Sequence, residues 1–189
     1  MERVALGSTG LAVSKVGLGA SALGGEFGRI DEAQSIRTVR EAFDAGITLF
    51  DTAPAYGSTL AERLLGRALA GLPRQEYVLS TKAGKATDTY GRHQYDYTER
   101  GIRRSVEASL RRLGVETLDL LLLHDFDHPG ADMEQALAEG FPTLHALKDE
   151  GYVRAVGAGI YAMPAWKRVV TEARIDVALI PNHHTLLDV

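Results

Sequence analysis

The chain has 189 residues, 45% hydrophobic and 24% charged, with a formal net charge of −4. A chain of this size can bury a substantial core, and its dispersed Lys and Arg give no electrostatic footprint for nucleic acid or an anionic membrane. Cysteine is absent, which excludes a disulfide framework and any thiolate metal or redox site. No apolar run approaches the length of a membrane span, and the opening MERVALGSTG lacks the apolar core of a signal peptide, so a cytosolic protein is expected.

In chain order, residues 1–14 predict a β-hairpin, in which Gly7-Ser8-Thr9-Gly10 joins two short apolar runs. Strand, loop and helix patterns then alternate. The expected strands are Lys15–Gly19, Ile47–Asp51, Tyr77–Lys82, Leu118–His124, Val153–Gly159 and Asp176–Pro181. They are short, apolar and mostly non-alternating, as strands covered on both faces should be. The first helix begins at a capping box, Asp31-x-x-Gln34, shows Ile36, Val39, Ala42 and Phe43 on one stripe, and stops at Gly46. Thr59-x-x-Glu62 reads as a second capping box, ahead of Leu64, Leu65, Ala68 and Leu69. A third helix carries Ile102, Val106, Leu110 and Leu113 and ends at Gly114. A fourth carries Leu137, Phe141, Leu144 and Leu147, with Pro142 either kinking it or opening its second part, and ends at Gly151. Trp166, Val169, Val170 and Ala173 mark a fifth. The expectation is one domain over residues 1–189, with the hairpin at 1–14 and βα units one to six at 15–189.

This alternation predicts an α/β fold with a parallel sheet, either doubly wound or part of a (β/α)₈ barrel. Gly17-x-Gly19-x-x-Ala22 matches a dinucleotide fingerprint, and Asp51 stands where a ribose-binding acid would. That fingerprint needs a helix starting at its glycines, whereas the sequence runs on to Asp31 before a cap occurs. The polar groups at strand ends favour the barrel. Asp51, with Tyr56 just beyond it, Lys82 and His124 end the second, third and fourth strands, which are consecutive neighbours only in a barrel.

Taken singly, Asp51 reads as a turn aspartate, Tyr56 as a loop aromatic, Lys82 as a strand-ending charge and His124 as a core histidine. Together they form an acid/base set without a nucleophile. Lys82 would stabilise the Tyr56 phenolate and lower its pKa, Asp51 would hold Lys82 protonated, and His124 would orient a substrate oxygen. Such a set suits hydride transfer, in which one proton moves as a carbonyl and an alcohol interconvert. His124 to Pro129 (HDFDHP) and Asn182 to His184 (NHH) are weaker candidates for metal ligation.

In their order, VGLGAS, FDTAPAYG, LSTK, LDLLLLH and GYVRAVGAGI resemble the aldo-keto reductase family across essentially the whole chain. The resemblance implies a (β/α)₈ TIM barrel, of which the hairpin and first six strands are present, and NADP or NAD as cofactor. It implies a catalytic tetrad at Asp51, Tyr56, Lys82 and His124, with the tyrosine as general acid/base. It also implies cofactor contacts at Gly19, Ala20, Ser21, Asp51, Gly159 and Ile160, and no metal. EQALAEGFPTLHALKDEG, AVGAGI and HTLLD resemble the aldose 1-dehydrogenase branch, which includes L-fucose and galactose dehydrogenases and oxidises a sugar to a lactone, so the implied partner is a small sugar or aldehyde. The chain departs from many relatives in having Gly159-Ile160 where Ser-Asn is common, which leaves backbone contacts there, and Pro181-Asn182 where Gln is common.

A barrel of this type runs to about 250 residues. A truncated chain with exposed sheet edges is therefore expected, weak or inactive alone and prone to self-association through the open edge. A catalytically inactive binding or assembly module and a metal-dependent barrel hydrolase are the alternative readings.

Overall fold

The computed structural model describes residues 1–181. The first strands, β1 (Arg3–Ala5) and β2 (Ala12–Ser14), form the expected antiparallel hairpin. The elements that follow are β3 (Leu18–Gly19), α1 (Glu32–Asp44), β4 (Leu49–Asp51), α2 (Leu60–Leu69), β5 (Val78–Ala83), β6 (Lys85–Thr87), β7 (His93–Tyr95) and α3 (Glu99–Leu113). They continue through β8 (Leu118–His124), α4 (Met133–Gln135), α5 (Phe141–Asp149), β9 (Val153–Gly159), α6 (Met163–Glu172) and β10 (Val177–Leu179).

Six strands make one parallel sheet in the order β3-β4-β5-β8-β9-β10. Strands follow one another in space as in sequence, the order of a barrel wall, and the 3-2-1-4 order of a doubly wound sheet is not formed. Among the described residues, β3 and β10 each pair on one side only.

Leu118–His124 and Val153–Gly159 form with the expected bounds and β5 is shifted by one residue, whereas the first, second and sixth expected strands are shorter than the runs that announced them. β3 and β4 start late because Ser14 and Thr48 exchange side chain–backbone bonds in place of a ladder. The Ser14 amide donates to Thr48 Oγ1 at 2.9 Å and the Thr48 amide to Ser14 Oγ at 2.8 Å. The hairpin β6–β7, directly after β5, has no counterpart in the sequence expectations; its strands are exposed and of mixed polarity, so no hydrophobic period marks them.

The sheet has two differently filled faces. Phe50, Leu79, Leu121, Leu123, Val156 and Ala158 pack against the helices in the larger core. On the other face Val78, Leu120 and Ala155 meet Leu11 and Val13 of the first hairpin. The hairpin thus closes the end of this inner face away from the strand C-termini, and the polar strand ends lie at the opposite end.

The helices follow their stripes with two corrections, at α2 and α6. At α2, Thr59 has φ +77 and makes no capping bond, so the second capping box does not form. Glu62 is instead fully buried, accepting from Thr81 Oγ1 at 2.7 Å and from Arg112 Nε at 2.6 Å, which ties α2 to β5 and α3. The fourth helix has two parts, as one of the two expectations for Pro142 had it: α4 leads through a π-helical turn at Ala136–Gly140 into α5, and Pro142 stands in the first turn of α5. On α6, Trp166 and Val169 are buried but Val170 is 71% exposed, because the stripe is narrower than its apolar residues. Asp31 caps α1 through the Gln34 amide at 2.7 Å, as its motif indicates.

Candidate active site

Register explains how the strand ends converge. Gly19 pairs with Asp51, Asp51 with Ser80, Lys82 with Leu122, and His124 with Gly159. Alternation along β5 puts Ser80 and Lys82 on the same face as Asp51. Ser80 Oγ donates to Asp51 Oδ1 at 2.7 Å and Lys82 Nζ to Asp51 Oδ2 at 2.6 Å. A second bond from Lys82 Nζ reaches the Thr52 carbonyl at 2.8 Å. The Lys82 side chain is 2% exposed, so its ammonium lies inside the protein with an anion and a carbonyl as partners.

Tyr56 stands on the loop between β4 and α2, a series of tight turns. Its amide donates to the Ala53 carbonyl at 3.1 Å and its carbonyl accepts from the Ala61 amide at 3.3 Å. Gly57 has φ +57, and a Cβ there would lie 2.1 Å from the Gly24 carbonyl oxygen; a Cβ on Gly24 would lie 2.6 Å from the Tyr56 carbonyl carbon. Only two glycines permit this backbone contact, and it fixes the loop that carries the phenol. Lys82 Nζ lies 4.8 Å from the Tyr56 ring centroid, and the His124 ring meets Tyr56 edge-on at 6.0 Å and 89°.

His124 ends β8, 5% exposed. Its carbonyl accepts from the buried Tyr97 hydroxyl at 2.9 Å. Nε2 lies 3.6 Å from Asp125 Oδ1, and Nδ1 is buried without a hydrogen-bond partner among the described residues. Asp125 Oδ2 pairs with Lys85 Nζ at 2.7 Å. Lys85 belongs to the unanticipated hairpin, so this second ion pair was not among the expected site residues. A lysine three positions past Lys82 and an acid next to His124 were the available signals, but register beyond β5 decides whether they meet.

Burial disfavours charge on Lys82, yet the neighbouring Asp51 carboxylate and Tyr56 more than reverse this and its pKa is raised. Tyr56 corrects the expectation of a lowered value. Burial raises its pKa, and the Lys82 ammonium offsets only part of that. The resting group is therefore a neutral phenol, a proton donor. Burial, with Lys82, Lys85 and His93 nearby, pushes the His124 pKa well below its usual value, so the imidazole is neutral at neutral pH. The set combines an acid, a neutral hydrogen-bond donor and an ion pair, which can protonate and hold one oxygen.

The expected cofactor positions fall into two groups. Gly19 is exposed and a Cβ there would meet nothing within 4 Å, Ser21 is half-buried, and Gly159 is buried, where a Cβ would sit 3.8 Å from Lys82 Cε. Gly19 and Gly159 pair with Asp51 and His124 and keep side chains off those strand ends, where a flat nicotinamide ring would fit. Ala20 and Ile160 are buried in the larger core, and the Ile160 carbonyl already accepts from Trp166 Nε1 at 3.2 Å. Pro181 ends the described chain; Asn182 and the NHH candidate (Asn182 to His184) lie outside the described residues. Among the described residues, no three His, Asp or Glu side chains group as metal ligands, HDFDHP included.

Comparison with known proteins places this geometry in context. The model of the Aldo/keto reductase family matches residues 15–189. The chain is 37% identical to a D-threo-aldose 1-dehydrogenase of a Pseudomonas species, over 97% of this chain and 61% of that protein. It is 39% identical to an L-galactose dehydrogenase of Arabidopsis thaliana, over 100% of this chain and 60% of that protein. A holo-form aldo-keto reductase from Bacillus halodurans superimposes with a TM-score of 0.82 at 30% identity, over 95% of this chain and 57% of that one. The chain thus spans about three fifths of the length of these curated relatives.

Proposed function

The chain belongs to the aldo/keto reductase family, and on that premise we propose that it interconverts a carbonyl and an alcohol with NADP or NAD, acting on small sugars or aldehydes. The observation that carries this reading is the convergence on Tyr56: the Lys82 ammonium 4.8 Å from its ring and the His124 ring 6.0 Å away, at the strand ends of one sheet face.

In the reducing direction the substrate oxygen lies between the Tyr56 hydroxyl and His124. His124 donates a hydrogen bond that orients the oxygen, and Tyr56 transfers its proton as charge develops there. Lys82, held by Asp51, stabilises the phenolate left behind. In the oxidising direction Tyr56 takes the proton from the alcohol. A bound nicotinamide supplies or accepts the hydride. Gly19, Ser21, Asp51 and Gly159 would hold it, with backbone contributions from Ala20 and Ile160.

The two aldose-oxidising relatives support an aldose C1 as the reacting carbon and a lactone as product. A cytosolic setting suits the cysteine-free composition, and no helix among the described residues is long and apolar enough to cross a membrane. Self-association would use the one-sided edges of β3 or β10. The test is a panel of aldoses and aldehydes assayed with both cofactors, for the chain and for Tyr56→Phe. Turnover that Tyr56→Phe removes supports the reading; turnover that survives Tyr56→Phe, or none with either cofactor, overturns it for this chain.

A further inference from the structure

The proposed function uses His124 as a donor to substrate oxygen, and this requires its single proton to sit on the ring nitrogen that meets the substrate. A neutral imidazole can carry that proton on either nitrogen, and the partner of each decides which. We infer that Asp125, held in place by Lys85, is a positioning residue that sets the His124 tautomer with the proton on Nε2.

Three observations carry the inference. First, Nδ1 is buried with no hydrogen-bond partner among the described residues, so an N–H there would be an orphaned donor among them. Secondly, Asp125 Oδ1 lies 3.6 Å from Nε2. That exceeds a hydrogen bond, but at a 5% exposed ring the electrostatics are little screened. A proton on Nε2 lies near the carboxylate's negative charge and is attracted to it, whereas a lone pair there is repelled. Thirdly, Asp125 is locked. Lys85 Nζ binds Oδ2 at 2.7 Å, both side chains are about nine-tenths buried, and the Asp125 amide donates to the Gly159 carbonyl at 3.0 Å. Its backbone holds φ +49, the left-handed region that Asp and Asn tolerate better than most residues.

Among the described residues, the charged and titratable groups around the ring are Lys82 of β5, Lys85 of β6, His93 of β7, Tyr56 of the β4–α2 loop and Asp125 itself. The three bases oppose a second proton on the ring, which leaves one proton to place. The hairpin β6–β7 thereby acquires a purpose: it brings Lys85 to the carboxylate that faces the histidine.

The tautomer stands on this geometry alone; its use in orienting a carbonyl oxygen rests on the proposed function. The test is two-dimensional NMR of the ¹⁵N-histidine-labelled chain, with His124→Gln identifying the His124 signals among the six histidines. In the wild type, a protonated Nε2 and an unprotonated Nδ1 are expected at the full separation of a fixed tautomer. Asp125→Gly keeps the left-handed backbone without the carboxylate, and the two signals should move toward each other. Asp125→Asn retains an oxygen acceptor and should restore the wild-type pattern, which a purely structural role would not require. Lys85→Met/Asp125→Gly avoids a stranded buried ammonium if the single variant does not fold, and should match Asp125→Gly. A wild-type proton on Nδ1, or a pattern unchanged in the folded glycine variants, overturns the inference. A fixed Nε2 proton combined with turnover that survives Tyr56→Phe would leave the inference standing and sink the functional reading instead.

Discussion

Lys82 Nζ stands 2.6 Å from Asp51 Oδ2, with the lysine side chain 2% and the aspartate 20% exposed. The pair joins β4 to β5, and it leaves the ammonium dependent on one carboxylate. Removing one partner of a buried pair costs about 3–5 kcal/mol, because the other charge remains desolvated. Asp51→Asn should therefore destabilise the chain by about 3 kcal/mol, and Lys82→Met by clearly less, since Asp51 keeps Ser80 and some solvent. Urea unfolding of both variants checks the asymmetry; equal losses would contradict it.

Tyr56→Phe removes one hydroxyl and leaves the ring against Lys82 and His124. Stability should change by less than about 1 kcal/mol, while turnover falls by about 10²- to 10⁴-fold, the usual contribution of a positioned acid/base. Because the resting phenol holds its proton above the ordinary tyrosine range, carbonyl reduction should be favoured at neutral pH and alcohol oxidation should rise toward alkaline pH. Initial rates in both directions across pH measure this.

His124 gives a pH dependence of stability. Its folded pKa lies well below the unfolded value near 6.5, so below about pH 6.5 the unfolded chain binds a proton that the folded chain refuses. The stability contributed by its neutral burial is complete above that pH and is lost as pH falls. Unfolding free energies at pH 7.5 and 5.5 should differ more for the wild type than for His124→Gln. An identical pH difference in the two would show that His124 is not responsible.

Gly57 meets two obstacles to a side chain, its φ of +57 and the Gly24 carbonyl 2.1 Å from a Cβ. Gly57→Ala should cost at least about 1–3 kcal/mol for the backbone strain alone and shift the Tyr56 loop. The expected signature is a fall in kcat well beyond the fall in stability, read by steady-state kinetics beside thermal unfolding.

Glu62 is buried between Thr81 and Arg112. Glu62→Ala and Arg112→Ala should each destabilise strongly, and the double variant should cost less than their sum. A double-mutant cycle by urea unfolding measures that coupling; additive losses would mean the pair does not act as a unit.

Much of this was legible in the sequence, for a local reason. An apolar run that ends in an acid, a lysine or a histidine marks a strand and its polar end. The run order thus marked the barrel wall, and Asp51, Tyr56, Lys82 and His124 could be named from it. Helix stripes and the Asp31 cap are equally local. What tertiary structure alone decided depends on partners distant in the chain. Thr59 and Glu62 spelled a capping box, but burial of Glu62 against Arg112, 50 residues away, replaced it. Lys85 and Asp125 carried no periodic signal, and they meet only because β6–β7 folds over the end of β8. The direction of the Tyr56 shift was also beyond the sequence, which supplies the neighbouring charge of Lys82. The depth of burial that outweighs that charge exists only once the loop is packed.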